Sequence, residues 1–188
     1  MQITETKLTG VKLIEPQVFG DARGFFLETY NYQRYKEFGI DVRFVQDNHS
    51  RSVRHVLRGL HYQLRYPQGK LVSVVQGEVL DVVVDIRVGS PTFKQWVSFV
   101  LSADNHHQLY VPPGYAHGFV VLSDQADFVY KCTDYYHPED EKGLAWNDKT
   151  LGVNWEVERP ILSDKDLQNR PLDQLQQVDE LPRYQGSQ

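Results

Sequence analysis

The chain has 188 residues, 40% of them hydrophobic and 12% aromatic, with a formal net charge of −5 and one cysteine, Cys132. That length and apolar content suit one packed domain and exclude a disordered polar chain. The negative balance argues against non-specific nucleic-acid binding, the lone cysteine excludes an internal disulfide framework or a cysteine-based zinc cluster, and no apolar run approaches the ~20 residues that span a bilayer.

The N-terminal residues have no apolar signal core, so a soluble protein of a reducing compartment, the cytoplasm, is expected. Residues 1–19 alternate loosely around Pro16 and read as edge strands. Gly20-Asp-Ala-Arg-Gly24 has turn composition and leads into a short strand at Phe25-Phe26-Leu27. A short helix is predicted near residues 31–38, capped by Asn31 and ended by Gly39, with Tyr32, Tyr35 and Phe38 at threefold spacing. Val42, Phe44 and Gln46 then alternate into Gln46-Asp47-Asn48-His49-Ser50, a strand end that delivers polar groups.

Arg51, Arg54 and Arg58 form a locally basic stretch, either solvated or suited to a dianionic ligand through the planar guanidinium fork. From Leu71 to Arg87 the sequence is almost all strand, with a turn at Gln76-Gly77-Glu78. Further strands are expected at residues 96–101, 108–111, 118–122 and 126–133. Short strands punctuated by Gly, Pro and Asp indicate an all-β sandwich or barrel with a few short helices. After residue 137 the character changes: a turn-rich connection, an irregular segment around Trp146 and Trp155, then a short capped turn or helix at Leu162-Ser-Asp-Lys-Asp166. A single domain is expected over residues 1–175. Residues 176–188 read as a polar C-terminal tail that frays.

Charged groups inside apolar strands are the candidates for chemistry. His61, His106, His107 and His117 are too scattered for a convincing metal-ligand count, and no metal is expected. If residues 106 and 107 lie in a strand, their side chains point to opposite faces. Strict alternation likewise separates His61 from Arg58, and a bulge at Gly59 would return both to one cavity. Lys70, at the entrance of an apolar strand, suits a barrel rim or the stabilisation of an anion. Cys132 shares strand parity with Phe128 and Tyr130 and reads as core packing.

Six ordered blocks carry a resemblance: Gly20-Asp-x-Arg23-Gly-x-Phe-x-Glu28, Gln46-Asp-Asn-x-Ser, Leu57-Arg-Gly-Leu-His61-Tyr-Gln, Gln68-Gly-Lys70, Val111-Pro-x-Gly-x-Ala-His117-Gly-Phe and Leu162-Ser-x-Lys-Asp166. Over residues 3–172 the chain resembles the dTDP-4-dehydrorhamnose 3,5-epimerases, cupin-type nucleotide-sugar epimerases. The resemblance implies a jelly-roll β-barrel or sandwich, a homodimer, and catalysis without cofactor or metal in dTDP-L-rhamnose biosynthesis for surface polysaccharide. It implies His61 as general base, Asp166 as its partner, Tyr130 as opposite-face acid and Lys70 as enolate stabiliser. Arg58 and His117 would line the sugar and phosphate region, and Glu28, Gln46, Asp47 and Asn48 the nucleotide region. Arg23 would reach the partner's site, with Glu141 and Lys165 peripheral. A mono-epimerase inverting C3 or C5 alone, a non-catalytic nucleotide-sugar barrel and a metal-dependent cupin are the alternatives.

Overall fold

The recurrent Val, Ile and Phe runs resolve into strands that all pair antiparallel. A computed structural model describes residues 1–186, with the element order β1 (Gln2–Glu5), β2 (Lys12–Glu15), β3 (Val18–Asp21), β4 (Gly24–Leu27), α1 (Tyr32–Glu37), β5 (Gln46–Val53), β6 (Leu57–Gln63), β7 (Lys70–Gln76), β8 (Glu78–Asp85), β9 (Trp96–Ser102), β10 (Gln108–Val111), β11 (Tyr115–Val121), β12 (Gln125–Cys132), β13 (Glu141–Gly143), α2 (Asp164–Leu167) and α3 (Leu172–Gln177). One sheet runs β1-β2-β10-β7-β12-β5 and faces a second, β13-β6-β11-β8-β9, while β3 and β4 form a separate hairpin. The expected jelly-roll architecture is present as two open facing sheets, not a closed barrel.

The space between the sheets holds the main core, with Val72 and Val74 of β7, Val79 and Val83 of β8, and Phe119 and Phe128 of β11 and β12. The other face of β8, through Leu80, Val82 and Val84, packs on Trp155, Leu172, Leu175 and Leu181. Strand β8 is therefore covered on both sides, which is why it reads as a continuous apolar run instead of an alternating one. A third cluster of Ile14, Tyr35, Ile40, Leu71 and Tyr110 seats α1 on the outside of the six-stranded sheet.

Helix α1 has the expected ends. The Asn31 side chain accepts from the Arg34 N–H at 3.2 Å, and Gly39 takes φ +80, the left-handed turn that glycine adopts without strain.

Three expectations need correction. Gln76-Gly77-Glu78 is not a hairpin turn, because β7 and β8 lie in different sheets and Gly77 carries the chain across. His106 and His107 lie in the irregular segment just before β10, and His106 has φ +55, so strand alternation does not apply. The C-terminal segment does not fray from residue 176. Leu175 and Leu181 are buried, Tyr184 N–H donates to the Val88 carbonyl at 3.0 Å, and the Arg87 guanidinium stacks on the Tyr184 ring at 5.1 Å. Its apolar anchors are sparse, and they land on the outer face of β8. Ser187 and Gln188 lie outside the described residues.

Candidate active site

At one end of the sandwich the two sheets part to form a cavity of about 540 Å³. The five-stranded sheet supplies Arg58 and His61 from β6 and His117 from β11. The six-stranded sheet supplies Gln46 and Asn48 from β5, Lys70 from β7 and Tyr130 from β12. Glu141, Lys165 and Asp166 close the rim.

His61 and Arg58 share the cavity because β6 carries one extra residue. His117 pairs with His61, but Phe119 pairs with Arg58, so two residue steps on β11 match three on β6. Gly59, at φ +125, sits in that bulge, and a Cβ there would stand 2.7 Å from the Gly118 Cα. Two glycines in contact let the strands close over the irregularity.

His61 Nε2 lies 2.6 Å from Asp166 Oδ1. Asp166 is buried, which alone would raise its carboxyl pKa, but the hydrogen bond and charge of His61, with smaller contributions from Ser163 and the Gly59 backbone, outweigh burial and hold it below the ordinary carboxylate range. The other ring nitrogen, Nδ1, faces Glu141 Oε1 at 3.8 Å. Glu141 accepts from both Tyr136 Oη and Lys165 Nζ. Burial pushes the Glu141 carboxyl up, but these bonds together with His61 bring it below its usual value. The same contact pushes the Tyr136 phenol up to about 12.

Across the cavity, burial lowers the Lys70 pKa from the usual ammonium value. Among the described residues the lysine ion pairs are made by Lys12, Lys36, Lys94, Lys131, Lys142 and Lys165, so Lys70 has no carboxylate at salt-bridge distance. Its ammonium lies 6.0 Å from the centre of the Tyr130 ring. Burial, with smaller contributions from Cys132 and Glu141, raises the Tyr130 phenol above the ordinary tyrosine value, so it is a proton donor at neutral pH. His117, in the cavity wall, is held at Nε2 by both oxygens of Asp81, buried behind it, at 2.9 Å. Arg58 donates to Ser52 Oγ at 3.0 Å and leaves the rest of its fork toward the cavity.

Not every expected residue converges here. Arg51 is bidentate to Asp127 at 2.6 and 2.7 Å and Arg54 pairs with Asp124, so both follow the solvated reading. Asp47 points to the opposite face of β5 from Gln46 and Asn48, as strand alternation requires, and pairs with Lys131 at 3.0 Å. Glu28 binds Arg34 at 3.2 Å beside α1. Arg23, 90% exposed at the tip of the β3–β4 hairpin, bonds to Asp21. Asp81 and Tyr136 were not anticipated. Asp81 sits inside the apolar β8 run, an anomaly of the kind that singled out Lys70, whereas Tyr136 in an exposed loop gave no signal. Among the described residues no group of three or more His, Cys, Asp or Glu is arranged to hold a metal ion, and no helix is long and apolar enough to cross a membrane.

Residues 5–174 match the family model described as dTDP-4-dehydrorhamnose 3,5-epimerase. The chain belongs to this family. It is 57% identical over 168 residues to a dTDP-4-dehydrorhamnose 3,5-epimerase of Neisseria gonorrhoeae, covering 89% of this chain but about half (51%) of that protein. The corresponding epimerase of Pseudomonas aeruginosa is 55% identical over 172 residues, 90% of this chain and 95% of that one. Among solved structures, a dTDP-6-deoxy-D-glucose-3,5-epimerase of Legionella pneumophila, in complex with dTDP-4-keto-L-rhamnose, superposes with a TM-score of 0.94. It is 54% identical over 98% of this chain and 99% of the other.

Proposed function

We propose that this epimerase inverts C3 and C5 of dTDP-4-dehydro-6-deoxy-D-glucose to give dTDP-4-dehydro-L-rhamnose. The observation that carries the reading is the placement of His61 on one sheet and of Tyr130 and Lys70 on the other, facing one cavity. The C4 ketone acidifies the protons on both neighbouring carbons. With Nε2 committed to Asp166, His61 Nδ1 takes the proton from C3, and the C–H electron pair moves into an enolate whose oxygen carries the charge. The carboxylate of Asp166 stabilises the resulting imidazolium and orients its ring. Lys70, a cation without a partner carboxylate, stabilises the enolate oxygen. Tyr130 returns a proton to carbon from the opposite face, after which solvent restores both groups, and the same steps at C5 complete the reaction.

Arg58 and His117 would hold the sugar and pyrophosphate, Gln46 and Asn48 the nucleotide, and Glu141 with Lys165 the cavity mouth. The cycle draws on no cofactor or metal. Its place is dTDP-L-rhamnose formation for surface polysaccharide in the cytoplasm, where charged nucleotide sugars are held.

A homodimer completes this reading. The β3–β4 hairpin exposes Phe19, Phe25 and Phe26 at 56%, 63% and 69%. It borders a groove of about 780 Å³ whose lining includes Asp47, Asn48 and Tyr130. A partner's hairpin seated along that groove would cover the apolar rings and bring Arg23, with Glu28 near its base, toward the nucleotide end of the site.

The reading is tested by His61→Ala and Asp166→Ala. Each is expected to lower turnover by about 10³-fold or more with the fold retained, and turnover near wild type in either variant would refute the pair's assignment.

A further inference from the structure

The His61–Asp166 pair relies on a carboxylate carried by α2, a helix of four residues. So short a helix cannot fix an orientation by its own hydrogen bonds. Ser163 caps the Asp166 N–H at 3.1 Å, and with His61 it also helps hold the carboxyl pKa down.

A third group reaches that carboxylate. Asn169 Nδ2 lies 3.5 Å from Asp166 Oδ1, the oxygen that binds His61. The bond is long, and an amide free to rotate would contribute little at that distance. This amide is not free. It lies directly on Gly143, where an added Cβ would fall inside the Asn169 carboxamide. Gly143 is also the residue paired with His61 across β13 and β6. The chain beyond Asn169 is tied to the same place by a Leu144–Arg170 bridge and by the Ala145 N–H donating to the Arg170 carbonyl at 2.9 Å. The Asn169 amide is thus held between the backbone beside His61 and the carboxylate that His61 must meet.

We infer that Asn169 is a positioning residue for the His61–Asp166 pair, and that Gly143 serves the reaction by leaving room for it. The inference rests on the epimerase reading above. Asn169 is not among the residues that line the cavity, and acts on the distance and angle at which Asp166 meets the imidazole.

The test measures kcat and KM separately for Asn169→Leu, which keeps the shape without the donor, Asn169→Ala, Gly143→Ala and the Gly143→Ala/Asn169→Leu double variant, with His61→Ala as reference. The Asn169 variants are expected to lose about tenfold in kcat with KM nearly unchanged, as for a lost bond to a charged group. Gly143→Ala should lose a similar factor by displacing the amide, and the double variant should be no worse than the poorer single one. If Asn169→Leu and Asn169→Ala keep wild-type kcat while His61→Ala is inactive, the positioning role is wrong and the epimerase reading stands. Additive losses in the double variant would remove Gly143 from the inference. Full activity in His61→Ala would instead overturn the underlying reading.

Discussion

Gly59 and Gly118 touch through bare backbone, and that contact lets a strand with an irregular register present both Arg58 and His61 to one cavity. A Cβ on Gly59 would lie 2.7 Å from the Gly118 Cα and 2.9 Å from the His117 carbonyl oxygen. Both neighbours are backbone, so neither can swing away.

Gly59→Ala therefore combines a clash with a φ of +125 that an alanine rarely adopts. It should lower folding stability by about 2 kcal/mol or more. Turnover of the remaining folded protein should also fall, because Arg58 and His61 part. Urea denaturation with an activity assay on the same samples checks both. An unchanged midpoint would show that β6 relaxes without cost.

Lys70 separates stability from function. It is half-buried at the cavity wall, and its ammonium still costs folding energy, since desolvation disfavours the charged form. Lys70→Met is expected to raise the thermal midpoint while lowering kcat by about 10²-fold, the scale of a lost oxyanion partner. The sign of the pH effect follows. The folded pKa lies below the unfolded one, so the unfolded state binds more protons between the two values and wild-type stability rises with pH across that window. The variant's advantage should be largest below the folded pKa and disappear above the usual lysine value. A variant less stable than wild type at neutral pH would mean that the ammonium is satisfied in the fold.

Asp166 works in the opposite direction. Burial raises its pKa but His61, helped by Ser163, outweighs it, so the folded carboxyl titrates below its unfolded value. It contributes stability above the unfolded carboxyl pKa of about 4, lost as pH falls through the folded value. Asp166→Asn should flatten the acid side of the stability curve. An unaltered acid limb would show that the pair adds nothing to the fold.

Much of this arrangement was legible in the chain because the groups concerned break a local rule. His61 and Lys70 are conspicuous in apolar strands, and Asn31 and Gly39 bracket α1 by ordinary capping chemistry. The bulge at Gly59 could be posed from sequence alone, but only the β6–β11 register places it. Other features depend on pairing that no local pattern encodes. Gln76-Gly77-Glu78 has the composition of a hairpin turn whether its strands pair or part. Leu181 stands alone among polar neighbours, so residues 176–188 read as a tail although its side chain is buried. Asp47, which the family resemblance groups with Gln46 and Asn48, points to the other face of β5 by the period of the strand.

Tyr130 has a signature distinct from that of His61. Burial keeps its phenol protonated well above neutral pH, so Tyr130→Phe removes the opposite-face donor but leaves the base intact. Exchange of a substrate proton with solvent should persist while net inversion falls by about 10²-fold or more, within the range of general acid catalysis. Equal loss of exchange and inversion would assign Tyr130 another role.

The central claim is that one base, facing one acid across the cavity, serves both carbons next to the ketone. Proton NMR of dTDP-4-dehydro-6-deoxy-D-glucose incubated with the protein in heavy water follows deuterium entry at C3 and C5 directly. Deuterium is expected at both positions, with inversion at each and loss of both signals in His61→Ala. Exchange at one carbon alone, or at neither, would contradict the double inversion proposed here.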